Sequence, residues 1–281
     1  MTDPWSERDY LRDVQYKTDG NLAARQSIYA HQHPRIDLAA RVLDLALRDL
    51  ALRDMALRDK TEGRSARTAV DVGCGNGLYL AELARRGFAG RVVGADLSIG
   101  MLAAARQRLD RPLTPALSLT LAGADATALP FRDAAVDLTL AMHMLYHVPD
   151  PPAAVGELRR VTKPGGRVVI GLNGTDHLRE LREVIGSVRG ADHAAIRERV
   201  TLDAGERLAM ASFAKVTRHD FVAELRVPTV EPLAGYVRSM SGTGHFADPD
   251  RLVAAVLSAL PRTSDGSYRI TTHAGCLICE V

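Results

Sequence analysis

Five short apolar runs alternate with other patterns along residues 68–171. The runs are rich in Val, Leu and Ala, which is typical of strands that are covered on both faces of a parallel sheet. Four of the five lead into segments whose apolar residues recur three and four positions apart, as on a helix. The alternation predicts a doubly wound α/β sheet. The predicted strands are 68–72, 91–95, 117–122, 136–141 and 167–171.

Further elements lie on both sides of this block. Two more strands are predicted at 213–227 and 267–281. The remaining segments have helical periodicity, and those that follow the block exceed what a doubly wound core needs. The predicted helices outside the block are 10–17, 21–30, 36–59, 178–189, 194–211, 230–240 and 248–260.

The helix predicted at 36–59 contains an unusual repeat. The unit Ala-Leu-Arg-Asp occurs at 46–49, 51–54 and 56–59. A period of five residues advances about 140° beyond a full helical turn, so successive leucines move around the axis. Such a pattern cannot form one core-facing stripe. We therefore predict an exposed, charged helix extension that carries no chemistry.

The most informative stretch is the glycine-rich turn after the first predicted strand. Gly73, Gly75 and Gly77 alternate, and Asp71 lies in the strand just before them. Glycine permits positive φ angles and lets a ligand approach the backbone closely. A dinucleotide site requires the spacing G-x-G-x-x-G, whereas the spacing here is G-x-G-x-G. Asp71 would repel an anion at this turn and attract an ammonium group.

Two later segments extend this pattern. Asp96 ends the second strand, where a carboxylate can accept hydrogen bonds from both hydroxyls of a ribose, although NAD-dependent dehydrogenases share this feature. Residues 68–83 resemble motif I of the class I S-adenosyl-L-methionine-dependent methyltransferases. Residues 123–131 resemble the segment in which that family binds adenine, with Asp125 and Ala126 at the matching positions. Residues 163–166, Lys-Pro-Gly-Gly, resemble the turn that precedes the family's fifth strand.

The resemblance implies a fold, a domain organisation and a cofactor site. It implies a Rossmann-like sheet of seven strands in the order 3-2-1-4-5-7-6, with strand 7 antiparallel and a helical cap. Residues 1–65 would form an N-terminal lid, and 66–281 a core with cap insertions at about 175–200 and 228–262. The cofactor would be S-adenosyl-L-methionine. The residues expected to bind it are Asp71, Gly73, Gly75, Asn76, Gly77, Asp96, Leu97, Met101, Asp125, Ala126 and Met142, with Tyr16 and Arg25 from the lid.

Three candidates for catalysis follow the fourth strand: His143, Tyr146 and His147. A hydroxyl, phenol or ammonium acceptor needs a base, and histidine titrates near neutral pH. Relatives of this family carry a histidine where His147 stands, and in some it only shapes the site, so both roles stay open. The segment lacks the Asn/Asp-Pro-Pro-Tyr pattern of adenine and glutamine methyltransferases. No set of residues with metal-ligand spacing occurs in the cap, and we predict no metal.

The composition of the chain limits the classes of partner that it is expected to bind. The chain has 281 residues and a net charge of +2, which gives no electrostatic case for nucleic acid or an anionic membrane. The N-terminus lacks the apolar core of a signal peptide, and no apolar run approaches a membrane span. Cys276 and Cys279 are three residues apart in a strand, so they point to opposite faces, and we predict buried thiols in a cytoplasmic protein.

Together these observations predict a methyltransferase that acts on a small organic molecule, in keeping with secondary-metabolite biosynthesis. Whether oxygen, nitrogen or carbon accepts the methyl group stays open, as does a homodimer. One alternative is a non-catalytic or repurposed protein that binds S-adenosyl-L-methionine. A second is an NAD-type dehydrogenase, against which the glycine spacing and the Asp125 segment argue.

Overall fold

The computed structural model describes residues 7–57, 67–110, 117–189, 200–240 and 249–281. The sequence also predicts a polar linker at 60–67 and a flexible loop at 241–245. Residues 60–66 of that linker, the loop and the start of the helix predicted at 194–211 lie outside the described ranges.

The described strands form one mixed sheet in the order β1-β7-β8-β6-β5-β2-β3-β4. Seven of them reproduce the predicted order 3-2-1-4-5-7-6, since β2 to β8 are the predicted strands 1 to 7. The strand β8 is antiparallel to both of its neighbours, as predicted, whereas β2 to β6 pair in parallel. The strands are β1 (Gln32–His33), β2 (Arg67–Val72), β3 (Gly90–Asp96), β4 (Leu117–Gly123), β5 (Val136–Met142), β6 (Thr162–Asn173), β7 (Lys215–Val227) and β8 (Tyr268–Glu280).

The eighth strand corrects the predicted count of seven. The strand β1 adds two residues to the outer edge of β7, where Gln32 pairs with Leu225 and His33 with Glu224 in antiparallel register. Two residues give too short a pattern for a strand to be read from sequence. This pairing joins the N-terminal region to the far edge of the core sheet.

The helices agree with the predicted ones to within a few residues, except near the N-terminus and at the helix predicted at 194–211, which begins only at Leu202 after the N-cap Thr201. The predicted helix at 10–17 is a short α-turn followed by a π-helical segment, Leu11–Gln15. Two 3₁₀ turns, Ile28–His31 and Leu145–His147, complete the set. The α-helices are α1 (Arg8–Tyr10), α2 (Gly20–Ser27), α3 (Leu38–Leu57), α4 (Leu78–Arg85), α5 (Ile99–Arg108), α6 (Pro151–Val161), α7 (Arg179–Arg189), α8 (Leu202–Ser212), α9 (Glu231–Ser239) and α10 (Pro249–Ala259).

Apolar side chains cover both faces of the sheet. Ala69 belongs to a cluster shared with α3 and α4, and its neighbour Val70 belongs to a cluster shared with α6 and α8. Cys276 and Cys279 divide between the same two clusters as buried, free thiols, which confirms that they point to opposite faces. Burial on both sides explains why these strands read as continuous apolar runs.

A third apolar cluster lies beside the sheet. It joins α7, α9 and α10 to the ends of β7 and β8, and Ile28 from the N-terminal region is fully buried in it. The helix α2 packs against α9. The N-terminal region therefore contacts the cap helices directly. The domain boundary at residue 65 stays a prediction, because it lies outside the described residues.

The helix α3 covers most of the repeat. Ala46, the first residue of the first unit, is fully buried, which contradicts an exposed extension at that position. The side chains of the second and third units lie outside the described residues, and their exposure stays a prediction. Within the described ranges, no helix has the length and apolar character needed to cross a membrane.

Candidate active site

A large cavity opens at the carboxyl ends of the parallel strands, where ligands bind in open α/β sheets. Its volume is about 850 Å³. The residues at and after the ends of β2 to β6 form its floor, and the N-terminal region, α7, α9 and the two residues before α8 supply the opposite wall. This volume lies at the upper end of the range of roughly 300–1,000 Å³ for small-molecule pockets, so the cavity has room for two ligands.

The glycine turn forms one end of the cavity. Gly73 has φ +68°, and a Cβ there would lie 2.6 Å from Cβ of Met144, so no other residue fits without displacing its neighbour. The amides of Gly73 and Cys74 both donate to the carbonyl of Ala95, at 2.7 and 3.0 Å. These bonds tie the turn to β3. Gly77 does not contribute to the lining: its Cα faces Ala105 of α5, where it permits close helix packing.

Asp71 is the most unusual residue of the site. Its side chain is 1% exposed and lines the cavity, and neither carboxylate oxygen has a hydrogen-bond partner. Burial, together with the nearby charge of Asp96, raises the pKa of Asp71 well above its usual value. An unpaired buried carboxyl group is costly unless a ligand satisfies it. A cationic group at this point would do so.

Asp96 and Asp125 continue the row of carboxylates. Asp96 accepts hydrogen bonds from the amides of Gly75 and Ser98, both at 2.8 Å. Burial raises the pKa of Asp96, and these amides partly offset that effect. Each of its oxygens keeps a second lone pair, so the carboxylate can still accept from ligand hydroxyls.

Asp125 differs from the other two because the protein already uses both of its oxygens. Oδ1 accepts from the amide and hydroxyl of Thr127, and Oδ2 lies 2.6 Å from Nη2 of Arg8. Burial raises the pKa of Asp125, but the bonds from Thr127 and the charge of Arg8 outweigh it and lower the value. A base amino group at Oδ2 would therefore share that oxygen with Arg8 or displace it.

The N-terminal region closes the cavity above these carboxylates. The hydroxyl of Ser98 donates to the carbonyl of Tyr16 at 2.7 Å. A Cβ at Gly100 would lie 2.0 Å from the carbonyl oxygen of Lys17. The contact is therefore backbone against backbone, at the beginning of α5.

Tyr16 and His147 are brought together across the cavity, with Oη of Tyr16 2.8 Å from Nε2 of His147. Arg25 donates from Nη1 to the same hydroxyl at 3.4 Å. Since Arg25 has only donors, the oxygen of Tyr16 accepts from Arg25 while it also shares a hydrogen bond with His147. His147 thus connects the N-terminal region to the end of β5, which fits a positioning role.

His143 has a different environment. It adopts a left-handed conformation, with φ +55°, and its amide donates to the carbonyl of Gly171 at 2.9 Å. Burial lowers the pKa of its ring to about 4, so the ring is neutral at pH 7. Its side chain lines the cavity, and no described residue forms a hydrogen bond with the ring. Left-handed backbone at a non-glycine residue is typical of functional sites.

The structure brings nearly all of the predicted residues to one cavity. Twelve of the thirteen residues expected to bind the cofactor line it, as do His143, Tyr146 and His147; Gly77 is the exception. Tyr29, whose spacing from Tyr16 and Arg25 allows it to face inward, also lines the cavity, as do three residues that were not predicted: Arg8, His177 and Tyr236. His177 follows the end of β6, so the rule that site residues follow parallel strands could have found it.

Comparison with known proteins identifies relatives of the part of the chain that carries these strands. Residues 70–170 match the family model described as "Methyltransferase domain". A malonyl-[acyl-carrier protein] O-methyltransferase of Serratia marcescens is 34% identical over 62% of this chain and 62% of its own length. A demethylmenaquinone methyltransferase of Streptomyces avermitilis is 40% identical over 39% of this chain and 43% of its own length. The chain spans less than two thirds of the curated relatives it matches.

A solved structure supports the fold. The phosphoethanolamine N-methyltransferase 2 of Haemonchus contortus, in complex with S-adenosyl-L-methionine, aligns with all of this chain and 60% of its own, with a TM-score of 0.59 and 20% identity. At this identity the likeness concerns the fold alone.

Proposed function

Because the core of this chain belongs to the class I S-adenosyl-L-methionine-dependent methyltransferases, we propose that the protein transfers a methyl group to a small organic acceptor. The observation that carries the proposal is the row of Asp71, Asp96 and Asp125 along the cavity floor, at the ends of three adjacent strands. A ligand that carries an ammonium group, a ribose and a base would meet one carboxylate with each part.

The orphaned carboxyl group of Asp71 fits this cofactor. The amino group of its methionine part is the cation that Asp71 lacks, and the ribose diol matches the remaining lone pairs of Asp96. Asp125 and the amide of Ala126 would hold the adenine. Leu97, Met101 and Met142 would supply apolar contacts. The bound cofactor supplies a methyl group already activated by a sulfonium.

The chain itself must align the acceptor, exclude water and, for a hydroxyl or ammonium acceptor, remove a proton. We assign proton removal to His143, because its neutral ring faces the cavity and no described residue forms a hydrogen bond with it. We assign a positioning role to Tyr16 and His147, whose hydrogen bond keeps the N-terminal region closed over the site. The cavity volume supports a small acceptor.

Two measurements test the proposal. Calorimetric titration with S-adenosylhomocysteine should give one binding site per chain, whereas NADH on the same sample should give none. A screen of small hydroxylated and aminated compounds with radiolabelled methyl donor should give a labelled product. Tight NADH binding, with none for S-adenosylhomocysteine, would overturn the proposal in favour of a dehydrogenase. Cofactor binding without any labelled product would favour a non-catalytic protein.

A variant of His143 completes the test. His143→Gln should lower kcat by about 10²-fold or more for an acceptor that carries a proton, since that is the usual contribution of a general base. Its affinity for S-adenosylhomocysteine should stay within threefold of wild type. Equal kcat in the variant would show that alignment suffices and that His143 is not the base.

A further inference from the structure

A hydrogen-bonded pair that the proposed mechanism does not use lies in the wall opposite the carboxylates. Oη of Tyr29 is 2.9 Å from Nε2 of His177. The two rings are nearly parallel, with an interplanar angle of 18° and centroids 6.2 Å apart. Both residues line the cavity. Tyr29 comes from the N-terminal region and His177 from the loop after β6.

The direction of this hydrogen bond follows from the second nitrogen of His177. Nδ1 lies 3.1 Å from the backbone nitrogen of His273, an N–H donor, so Nδ1 must be the unprotonated acceptor. Burial lowers the pKa of His177 to about 3, and its ring is therefore neutral at pH 7. A neutral imidazole with an unprotonated Nδ1 carries its proton on Nε2. His177 thus donates to the oxygen of Tyr29.

The surroundings hold His177 in this tautomer. The ring of His273 lies between two carboxylates, with Nδ1 2.5 Å from Asp176 and Nε2 2.6 Å from Asp220. A Cβ at Gly174 would lie 2.2 Å from the His273 ring, so the loop that carries His177 passes directly against it. The loop is further tied to β8 through the amide of Gly174 and the carbonyl of His273 at 2.9 Å.

The hydroxyl proton of Tyr29 is consequently left for another acceptor. Its oxygen accepts from His177, and no described residue accepts the proton. Burial raises the pKa of Tyr29 well above its usual value, and Tyr236 and Tyr146 add smaller contributions in the same direction. Both of these tyrosines line the same cavity. Tyr29 is therefore a neutral donor, close to the residues that follow β5.

The distribution of charge indicates what such a donor would meet. The carboxylates among the described lining residues are Asp37, Asp71, Asp96 and Asp125, and none comes from α7, α8 or α9. Asp37 is the one lining carboxylate from the N-terminal region, and the described lining residues of α7 and α9 are Leu181, Arg182, Ile185 and Tyr236. The charged side chain that α7 and α9 contribute is therefore an arginine, which disfavours a cationic acceptor beside them, whereas an oxygen atom would find a donor in Tyr29.

We propose that Tyr29, oriented by His177, is the specificity-determining donor that binds an oxygen atom of the methyl acceptor, and that the acceptor is an apolar compound bearing that oxygen rather than a cationic amine. The assignment rests on the proposed function, because it takes the second occupant of the cavity to be the methyl acceptor. Tyr29 would contact this substrate, whereas His177 is a positioning residue that acts through Tyr29.

Three aromatic probes of similar shape test the donor: 2-acetylnaphthalene, which has a carbonyl oxygen; 2-isopropylnaphthalene, which has none; and 2-naphthylmethylammonium, a cation. Each is titrated into protein saturated with S-adenosylhomocysteine. The ketone should bind about tenfold more tightly than either of the others, as expected for one hydrogen bond in a dry site. Equal affinities, a preference for the cation, or no binding of the ketone at 1 mM would overturn the proposal.

Matched variants locate the effect. Tyr29→Phe should abolish the advantage of the ketone without changing the affinity for the hydrocarbon. Tyr268→Phe is the control, because Tyr268 is a buried tyrosine that is bonded to Arg262 and does not line the cavity. It should keep the wild-type preference. If the ketone still binds more tightly than the hydrocarbon to Tyr29→Phe, another residue is the donor and the proposal is wrong.

The role of His177 has its own readout. In ¹⁵N-histidine NMR, assigned by difference with His177→Gln, His177 should be protonated on Nε2 and unprotonated on Nδ1 at pH 7. The opposite tautomer, or a doubly protonated ring, would overturn the argument. Failure of the proposed function would appear separately, as a lack of S-adenosylhomocysteine binding, and the preference among probes can still be measured in the ligand-free protein.

Discussion

The two sides of the cavity use opposite chemistry. The strand-end side carries carboxylates, of which Asp71 has no hydrogen-bond partner among the described residues. The cap side carries donors, arranged around the pair of Tyr29 and His177. One side is therefore built to accept hydrogen bonds and positive charge, and the other to donate to a neutral or oxygen-bearing molecule. The cavity can thus hold two ligands of different chemistry, each of which binds to its own side.

The sides also differ in how they are assembled. Each carboxylate lies within two residues of the carboxyl end of its own strand, so local sequence order places it. Tyr29 and His177 are 148 positions apart and meet only because the N-terminal region packs on the cap. The same strand-end site can be combined with many different acceptors. The part of the fold that selects the acceptor can then differ while the strand-end site stays the same.

The largest effect is expected at Asp96. Asp96→Ala removes the acceptor for two ribose hydroxyls and also the bonds from the amides of Gly75 and Ser98. We expect affinity for S-adenosyl-L-methionine to fall about 1,000-fold, since hydrogen bonds to a charged group each contribute roughly 1.5–3 kcal/mol. Calorimetry measures the loss. The exposed Asp133→Ala is the control, and a loss below threefold in Asp96→Ala would contradict the role of this carboxylate.

Asp71→Asn should weaken cofactor binding by about 100-fold, because it removes the charge that pairs with the ammonium group. The same substitution should also change the number of protons that are released when the cofactor binds. The pKa of Asp71 is raised in the ligand-free protein, and a bound cation lowers it, so binding releases a proton wherever the pH lies below the ligand-free value.

Calorimetry in two buffers of different ionisation enthalpy counts that proton at about pH 6, where the amino group of the cofactor is already an ammonium. Wild type should release up to one proton per cofactor, and Asp71→Asn should release fewer. Equal proton release by wild type and Asp71→Asn would show that Asp71 does not meet a cation.

On the cap side, His177 should make stability depend on pH. Its pKa is lowered to about 3 in the folded protein, against about 6.5 when unfolded. Its contribution is fully present above about pH 6.5 and is lost as the pH falls toward 3. Between pH 7.5 and 5 the loss is about 2 kcal/mol, at 1.36 kcal/mol per pH unit below 6.5.

Urea unfolding of wild type and His177→Gln at pH 7.5 and pH 5 measures this contribution of His177 to the free energy of unfolding. The variant should lose about 2 kcal/mol less than wild type on acidification. His33→Gln, at an exposed histidine of β1, should keep the wild-type decline. Identical declines in wild type and His177→Gln would mean that the His177 ring is protonated in the folded state.

The smallest effect is expected where the N-terminal region meets α5. Gly100→Ala places a methyl group against the carbonyl of Lys17, so the two backbones must separate. We expect about fivefold weaker cofactor binding and faster tryptic cleavage at Lys17. Gly156→Ala in α6, which meets nothing within 4 Å, is the control and should leave both unchanged. Unchanged binding and cleavage in Gly100→Ala would mean that this contact does not hold the region closed.

Much of the core could be predicted from local pattern. The strands β2 to β8 and their order agree with the sequence analysis, and Asp71, Asp96 and Asp125 line one cavity as expected. Where prediction failed, the signal was too short or too ambiguous. The two residues of β1 form no pattern that could be read. Gly77 packs against Ala105, and its contact with the cofactor stays a prediction.

The sequence by itself determined the sheet and the carboxylate side, because strand periodicity and strand-end positions are local properties of the chain. Only the tertiary structure decided the cap side. It paired Tyr16 with His147 and Tyr29 with His177, and it set the tautomer of His177 through the amide of His273. These hydrogen bonds join residues 96 to 148 positions apart, so they depend on how distant segments pack together over the sheet, and no local pattern encodes that packing.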